Sequence, residues 1–146
     1  MSIQCNCEQK MKLELRTVMY TRSVTIRHVP VLVCDRCLSY ELIPTMRTDL
    51  KKCVELLGPE PSNISFSLTD YHELAKLLYE VLDEGVSEEN LKQTLEYEIQ
   101  ERINLLLDVY KTAEMMQDEA WVAELRLRLS QLSVMLPEMN VIYADA

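Results

Sequence analysis

The sequence predicts an α+β chain: three short antiparallel strands and a helix come first, and an all-α acidic bundle of about three helices follows. Three observations carry that expectation. Apolar spacing is two up to Val33 and helical from Met46 onwards. Glycine occurs only twice and phenylalanine once in 146 residues, which disfavours an all-β chain with many tight turns. Charge divides the chain: residues 1–59 carry nine Lys/Arg and six Asp/Glu, a net +3, whereas residues 60–146 carry six and eighteen, a net −12. With 48% hydrophobic residues the chain can bury a core, so disorder is not expected.

The elements follow in order. Met11, Leu13 and Leu15 alternate with Lys10, Lys12, Glu14 and Arg16, the pattern of a half-exposed strand. After a turn near Thr21-Arg22-Ser23, Val24 and Ile26 alternate with Thr25 and Arg27 in a second strand. Pro30 interrupts that pattern, so Val31-Leu32-Val33 reads as a third short strand running into Cys34. Met46, Leu50, Cys53 and Leu57 then share one helix face. Gly58-Pro59-Glu60-Pro61-Ser62-Asn63 ends that helix and marks the boundary, which gives a first unit at residues 1–57, a linker at 58–66 and a helical unit at 67–146.

In the helical unit Ser67 and Asp70 are expected to open a helix with Tyr71, Leu74, Leu78 and Val81 on one face, stopped by Gly85. Ser87 followed by Glu88-Glu89 is an N-cap signal, with acids at the positive end of the helix dipole. Leu91, Leu95, Ile99, Ile103, Leu106, Tyr110 and Ala113 form one long stripe. A last helix, capped near Asp118, carries Trp121, Leu125, Leu129, Leu132 and Leu136, with Pro137 closing it and residues 139–146 left as a loose tail. The Leu105-Leu106-Leu107 run predicts burial on more than one face, and Met115, Met116 and Met135 read as core gap-fillers. A homodimer sharing the 88–136 helices is a second way to bury that stripe.

Five cysteines, with two pairs separated by one and two residues, point to metal rather than disulfides in a reducing compartment. Cys34-Asp35-Arg36-Cys37 is a C-x-x-C turn that aims two thiolates at one ion, and Cys5-Asn6-Cys7 is a tighter C-x-C. A hairpin between the pairs would close a tetrahedral four-cysteine site for one structural Zn²⁺ in a zinc ribbon. A thioredoxin-like redox pair needs a βαβ setting that is absent, and a catalytic zinc would usually recruit His or a carboxylate. His28 in the second strand is expected to pack there rather than to ligate, Cys53 to be a buried core thiol, and His72 to lie exposed near a helix start.

The stretch from Cys5 to Leu42, with Thr17-Val18-Met19-Tyr20, Val29-Pro30-Val31 and Cys34-Asp35-Arg36-Cys37, resembles the bacterial YgiT-type zinc finger. That domain also forms the N-terminal half of MqsA-like antitoxins, and the resemblance implies a structural zinc on two cysteine pairs. The chain departs from the pattern at the C-x-C pair and at Leu38, where glycine is common. The resemblance ends at the linker, because the basic helix-turn-helix of those antitoxins has no counterpart among these long acidic helices.

No paired carboxylates, nucleophile–base set or phosphate-cradling glycine loop is found, so the chain is expected not to be an enzyme. Lacking a membrane-span pattern and a signal-peptide pattern, it is expected to be a cytoplasmic bacterial protein. The expected role is a regulatory or adaptor protein that docks a protein partner through its helices. The alternative is a nucleic-acid-binding or antitoxin-like regulator using Lys10, Lys12, Arg16, Arg22, Arg27 and Arg36, against which the net charge of −9 weighs.

Overall fold

The computed structural model describes residues 7, 11–43, 45–57 and 63–142. It is an α+β fold, with strands β1 (Lys12–Thr21), β2 (Val24–Val33) and β3 (Tyr40–Leu42), helix α1 (Met46–Glu55), then strand β4 (Ile64–Ser67). Four helices follow: α2 (Glu73–Asp83), α3 (Glu88–Met115), α4 (Glu119–Ser133) and α5 (Met135–Ile142).

Strand β2 is the hub of one four-stranded sheet. It pairs antiparallel with β1 along its length, antiparallel with β3 through residues 31–33, and parallel with β4 through residues 24–27. The expected break at Pro30 does not occur. Pro30 stands opposite Leu15 inside one continuous strand, and the third strand is Tyr40–Leu42 instead of residues 31–33. The irregularity lies two residues earlier. Between the pairs Arg16↔Val29 and Val18↔Ile26, β2 spends one residue more than β1, and His28 takes φ 61°. That is a β-bulge, and beyond it both faces of β2 are covered, since all of residues 29–33 are buried.

The expected linker is corrected at its end. Residues 64–66 and Ser67 form β4, while 58–62 lie outside the described residues. Ser67 caps only a 3₁₀ turn, Leu68–Asp70, and α2 begins at Glu73 with His72 as N-cap. His72 is therefore buried rather than exposed. Its Nδ1 accepts from the Ala75 N–H at 3.4 Å, and Nε2 lies 2.6 Å from Asp49 Oδ2 on α1, so the ring proton belongs on Nε2.

The helical stripe is as the spacing predicts. Leu91, Leu95, Ile99, Leu106 and Ala113 are buried on α3, and Gly85 (φ 74°) supplies the left-handed turn beyond α2. Asp118 caps α4 by accepting from the Trp121 N–H at 3.1 Å. Pro137 does not close the last helix. It falls in the first turn of α5, where proline's missing N–H is no loss. Residues 143–146 of the expected tail lie outside the described residues. Two further expectations fail: within α3, Leu105 and Leu107 are exposed on either side of buried Leu106, and at the α3–α4 turn Met115 and Met116 are 85% and 65% exposed.

One core runs through the whole fold, joining Ile26, Leu32 and Leu50 to Leu74, Leu78, Leu95 and Leu132. At its polar centre is Glu73. Its carboxylate accepts from Arg102 Nη1 of α3 at 2.7 Å and Arg128 Nε of α4 at 2.9 Å, and its N–H donates to Gln131 Oε1 at 2.9 Å. Burial would raise the Glu73 pKa, but the hydrogen bonds from Arg128 and Arg102 outweigh it and hold the carboxyl below its ordinary value. Glu80 takes the other nitrogen of Arg102 at 2.9 Å. Three helices are thus fixed by one buried side chain. Among the described residues, no helix is long and apolar enough to cross a membrane.

Candidate metal centre

Strand β2 ends by delivering Cys34, fully buried, to the edge of the core. Asp35, Arg36 and Cys37 then turn the chain back. The turn is closed by Leu38 N–H to Cys34 O and by Cys34 N–H to Ser39 O, both 2.9 Å. The Cys37 N–H approaches Cys34 Sγ at 3.4 Å, as expected where a backbone amide supports a thiolate. Leu38 adopts φ 58° to complete the loop, a left-handed conformation that glycine takes without strain.

Cys7 meets this knuckle from the other side of the hairpin. Its Sγ lies 3.5 Å from Cys34 Sγ, and the sulfurs of Cys7, Cys34 and Cys37 all lie within 4.8 Å of one another. A disulfide would need about 2.05 Å, and none joins the described cysteines. A tetrahedral ion with metal–sulfur bonds near 2.3 Å spaces its ligands by about 3.8 Å. The Cys7–Cys34 separation of 3.5 Å is close to that edge, and the others fall within 4.8 Å. The donor set is therefore arranged for a soft or borderline metal ion. No described His, Asp or Glu joins the cluster.

The expected fourth ligand, Cys5, lies outside the described residues. His28 and Cys53 belong elsewhere. His28 Nδ1 is 2.7 Å from Ser67 Oγ, and its ring meets Tyr79 edge-on at 4.9 Å, so it ties β2 to β4 and α2. Cys53 is buried on α1, where burial, with Asp49 adding, pushes its thiol pKa up. A thiol held protonated makes a poor ligand.

One neighbour of the site was not legible in the sequence. The Lys12 ammonium, on β1, reaches Asp35 of the knuckle at 2.8 Å and Glu88 at the start of α3 at 3.4 Å. Its hydrogen bond to Asp35 and the Glu88 charge raise its pKa. No spacing rule connects residues 12, 35 and 88; only the folded hairpin does. No protein-family model, curated protein or solved structure matches the chain.

Proposed function

We propose that the chain is a non-enzymatic regulatory or adaptor protein. In this reading a zinc ribbon holds one structural Zn²⁺ on Cys5, Cys7, Cys34 and Cys37, and the helices dock a protein partner. The observation that carries it is the convergence of the Cys7, Cys34 and Cys37 sulfurs from the two sides of one hairpin. An all-thiolate set, without a carboxylate or imidazole, suits a closed structural site. The YgiT-type resemblance gains support from Leu38: its positive φ is the conformation that the family's usual glycine supplies.

The docking half of the proposal rests on uncovered apolar side chains in an acidic unit: Leu105 and Leu107 on α3, and Met115 and Met116 at the α3–α4 turn. The nucleic-acid alternative draws less support. Lys12 and Arg16 are engaged by Asp35, Glu88 and Glu14, and Arg27 donates to Ser65 Oγ at 2.6 Å.

Metal analysis of the purified chain tests the site. The expected result is one zinc per chain, with X-ray absorption reporting four sulfur ligands; an oxygen or nitrogen ligand overturns the closed site. A pull-down at native salt that recovers neither a protein partner nor self-association overturns the adaptor role.

A further inference from the structure

Strand β1 has a partner on one side only. Strands β3 and β4 share the far side of β2, so among the described residues nothing pairs with the outer edge of β1. An unpaired edge of this length is a template for another strand, and proteins usually blunt one with proline, a bulge, an inward charge or charged side chains along the edge. Over residues 12–19, β1 has no proline and the bulge opposite Thr17 lies in β2, while its charges, Lys12, Glu14 and Arg16, are of mixed sign and so can select a partner strand rather than repel every one. The irregularity on β1 itself comes later, between Met19 and Thr21.

We propose that this edge pairs with a second copy of itself, giving a twofold-symmetric dimer in which two β1 strands run antiparallel about Leu15. Charge selects both the occupant and the register. On one strand the Glu14 carboxylate already accepts from Arg16, at 2.6 Å to Nη2 and 2.9 Å to Nε, and both side chains are part-exposed. With the axis at Leu15, each Glu14 stands directly opposite Arg16 of the second copy. The four groups close into a ring of alternating sign, which directly opposed cross-strand pairs favour.

Neighbouring registers lose this. An axis at Glu14 sets two carboxylates together and Lys12 against Arg16. An axis at Arg16 opposes two guanidiniums. An axis at Leu13 pairs only the first residues of the strand and draws Lys12 away from Asp35 and Glu88. The Leu15 axis also makes the interface isologous, the commonest arrangement for a self-assembling chain.

Packing agrees with charge. Leu15 is half-buried, on the sheet face that also carries Leu13. Between this stretch of β1 and helix α2 runs a cleft of ≈ 390 Å³, with Leu13, Leu15, Tyr79 and Leu82 as its apolar lining. Pairing at Leu15 sets the two Leu15 side chains against each other at the mouths of the two clefts, withdrawing apolar surface that one copy leaves wet. The proposal is independent of the metal's identity and of any other partner.

The test is a charge swap in the full metal-loaded chain, read by sedimentation equilibrium. Wild type is expected at twice the 17.0 kDa chain mass. Glu14→Arg and Arg16→Glu should each weaken the dimer by about tenfold or more, because each places like charges opposite one another. The double variant Glu14→Arg/Arg16→Glu should restore it. Both positions are part-exposed, and circular dichroism of the single variants checks that the fold is kept. A monomeric wild type overturns the proposal. So does a dimer that neither single variant weakens, since association would then lie on another surface such as the 88–136 helices. Loss in both singles without recovery in the swap overturns the register.

Discussion

Replacing Glu73 with glutamine should cost the fold about 3 kcal/mol. The carboxylate is 6% exposed and accepts from two guanidiniums, Arg102 at 2.7 Å and Arg128 at 2.9 Å. Glutamine keeps the shape, but its amide group turns a donor toward one arginine, takes the counter-charge from Arg128 and leaves Arg102 with Glu80 alone. Breaking a fully buried pair costs about 3–5 kcal/mol. Here Arg102 and Arg128 are 22% and 35% exposed, so water recovers part of that and the lower end of the range applies. At about 2–4 °C per kcal/mol for a chain of this size, the melting temperature should fall by roughly 6–12 °C.

Urea denaturation followed by circular dichroism, with metal present, measures the loss at neutral pH. The acid limb provides a second readout. The Glu73 pKa is depressed in the folded state, so its stabilisation is complete above the ordinary glutamate value of about 4.3 and is lost as pH falls through the folded value. The variant should therefore lack part of the acid-induced decline seen in wild type. A loss below about 0.5 kcal/mol, the scatter of ordinary surface changes, refutes the reasoning. So does an unchanged acid limb.

Three further outcomes are expected. Leu38→Gly should stabilise the metal-loaded protein by about 0.5–1 kcal/mol in urea melts, since it relieves about 1–2 kcal/mol of left-handed strain while adding about 0.5–1 of unfolded-state freedom. Little packing is lost, because Leu38 is 78% exposed. Asp49→Ala should cost about 1–3 kcal/mol in the same assay, by stranding the buried Nε2–H of His72. Cys53→Ala should leave the metal content per chain unchanged while Cys34→Ser lowers it, because only Cys34 is among the converging sulfurs.

The fold class was legible because the periods are strong: Met11, Leu13 and Leu15 count in twos, and Leu91, Leu95 and Ile99 count in helical turns. Where sequence reasoning erred, a tertiary partner had overridden a local signal. Pro30 breaks strands when its N–H is needed, but a buried hub strand can carry it where no ladder bond is required of it. Ile64-Ser65-Phe66-Ser67 is too short to announce a strand, and it becomes one only because β2 offers residues 24–27 as a template. The sequence places His72 on the surface because its partner, Asp49, lies 23 residues away. Met115 and Met116 continue the apolar content of α3 past the point where any other element covers it. At the candidate metal centre, spacing singled out Cys5, Cys7, Cys34 and Cys37; the last three converge, and Cys5 lies outside the described residues. The Lys12 brace to Asp35 and Glu88 left no trace in the spacing because it joins three separate elements.

The parallel pairing of β4 with β2 has a consequence for how the chain can be divided. A piece ending at residue 57 would carry the cysteines of the knuckle, yet the stretch of β2 that β4 covers would be left as a raw edge facing solvent. A piece starting at residue 63 would carry four helices and a strand with nothing to lie beside. Neither piece is a portable module. Loss of packing in either piece should therefore be felt in the other.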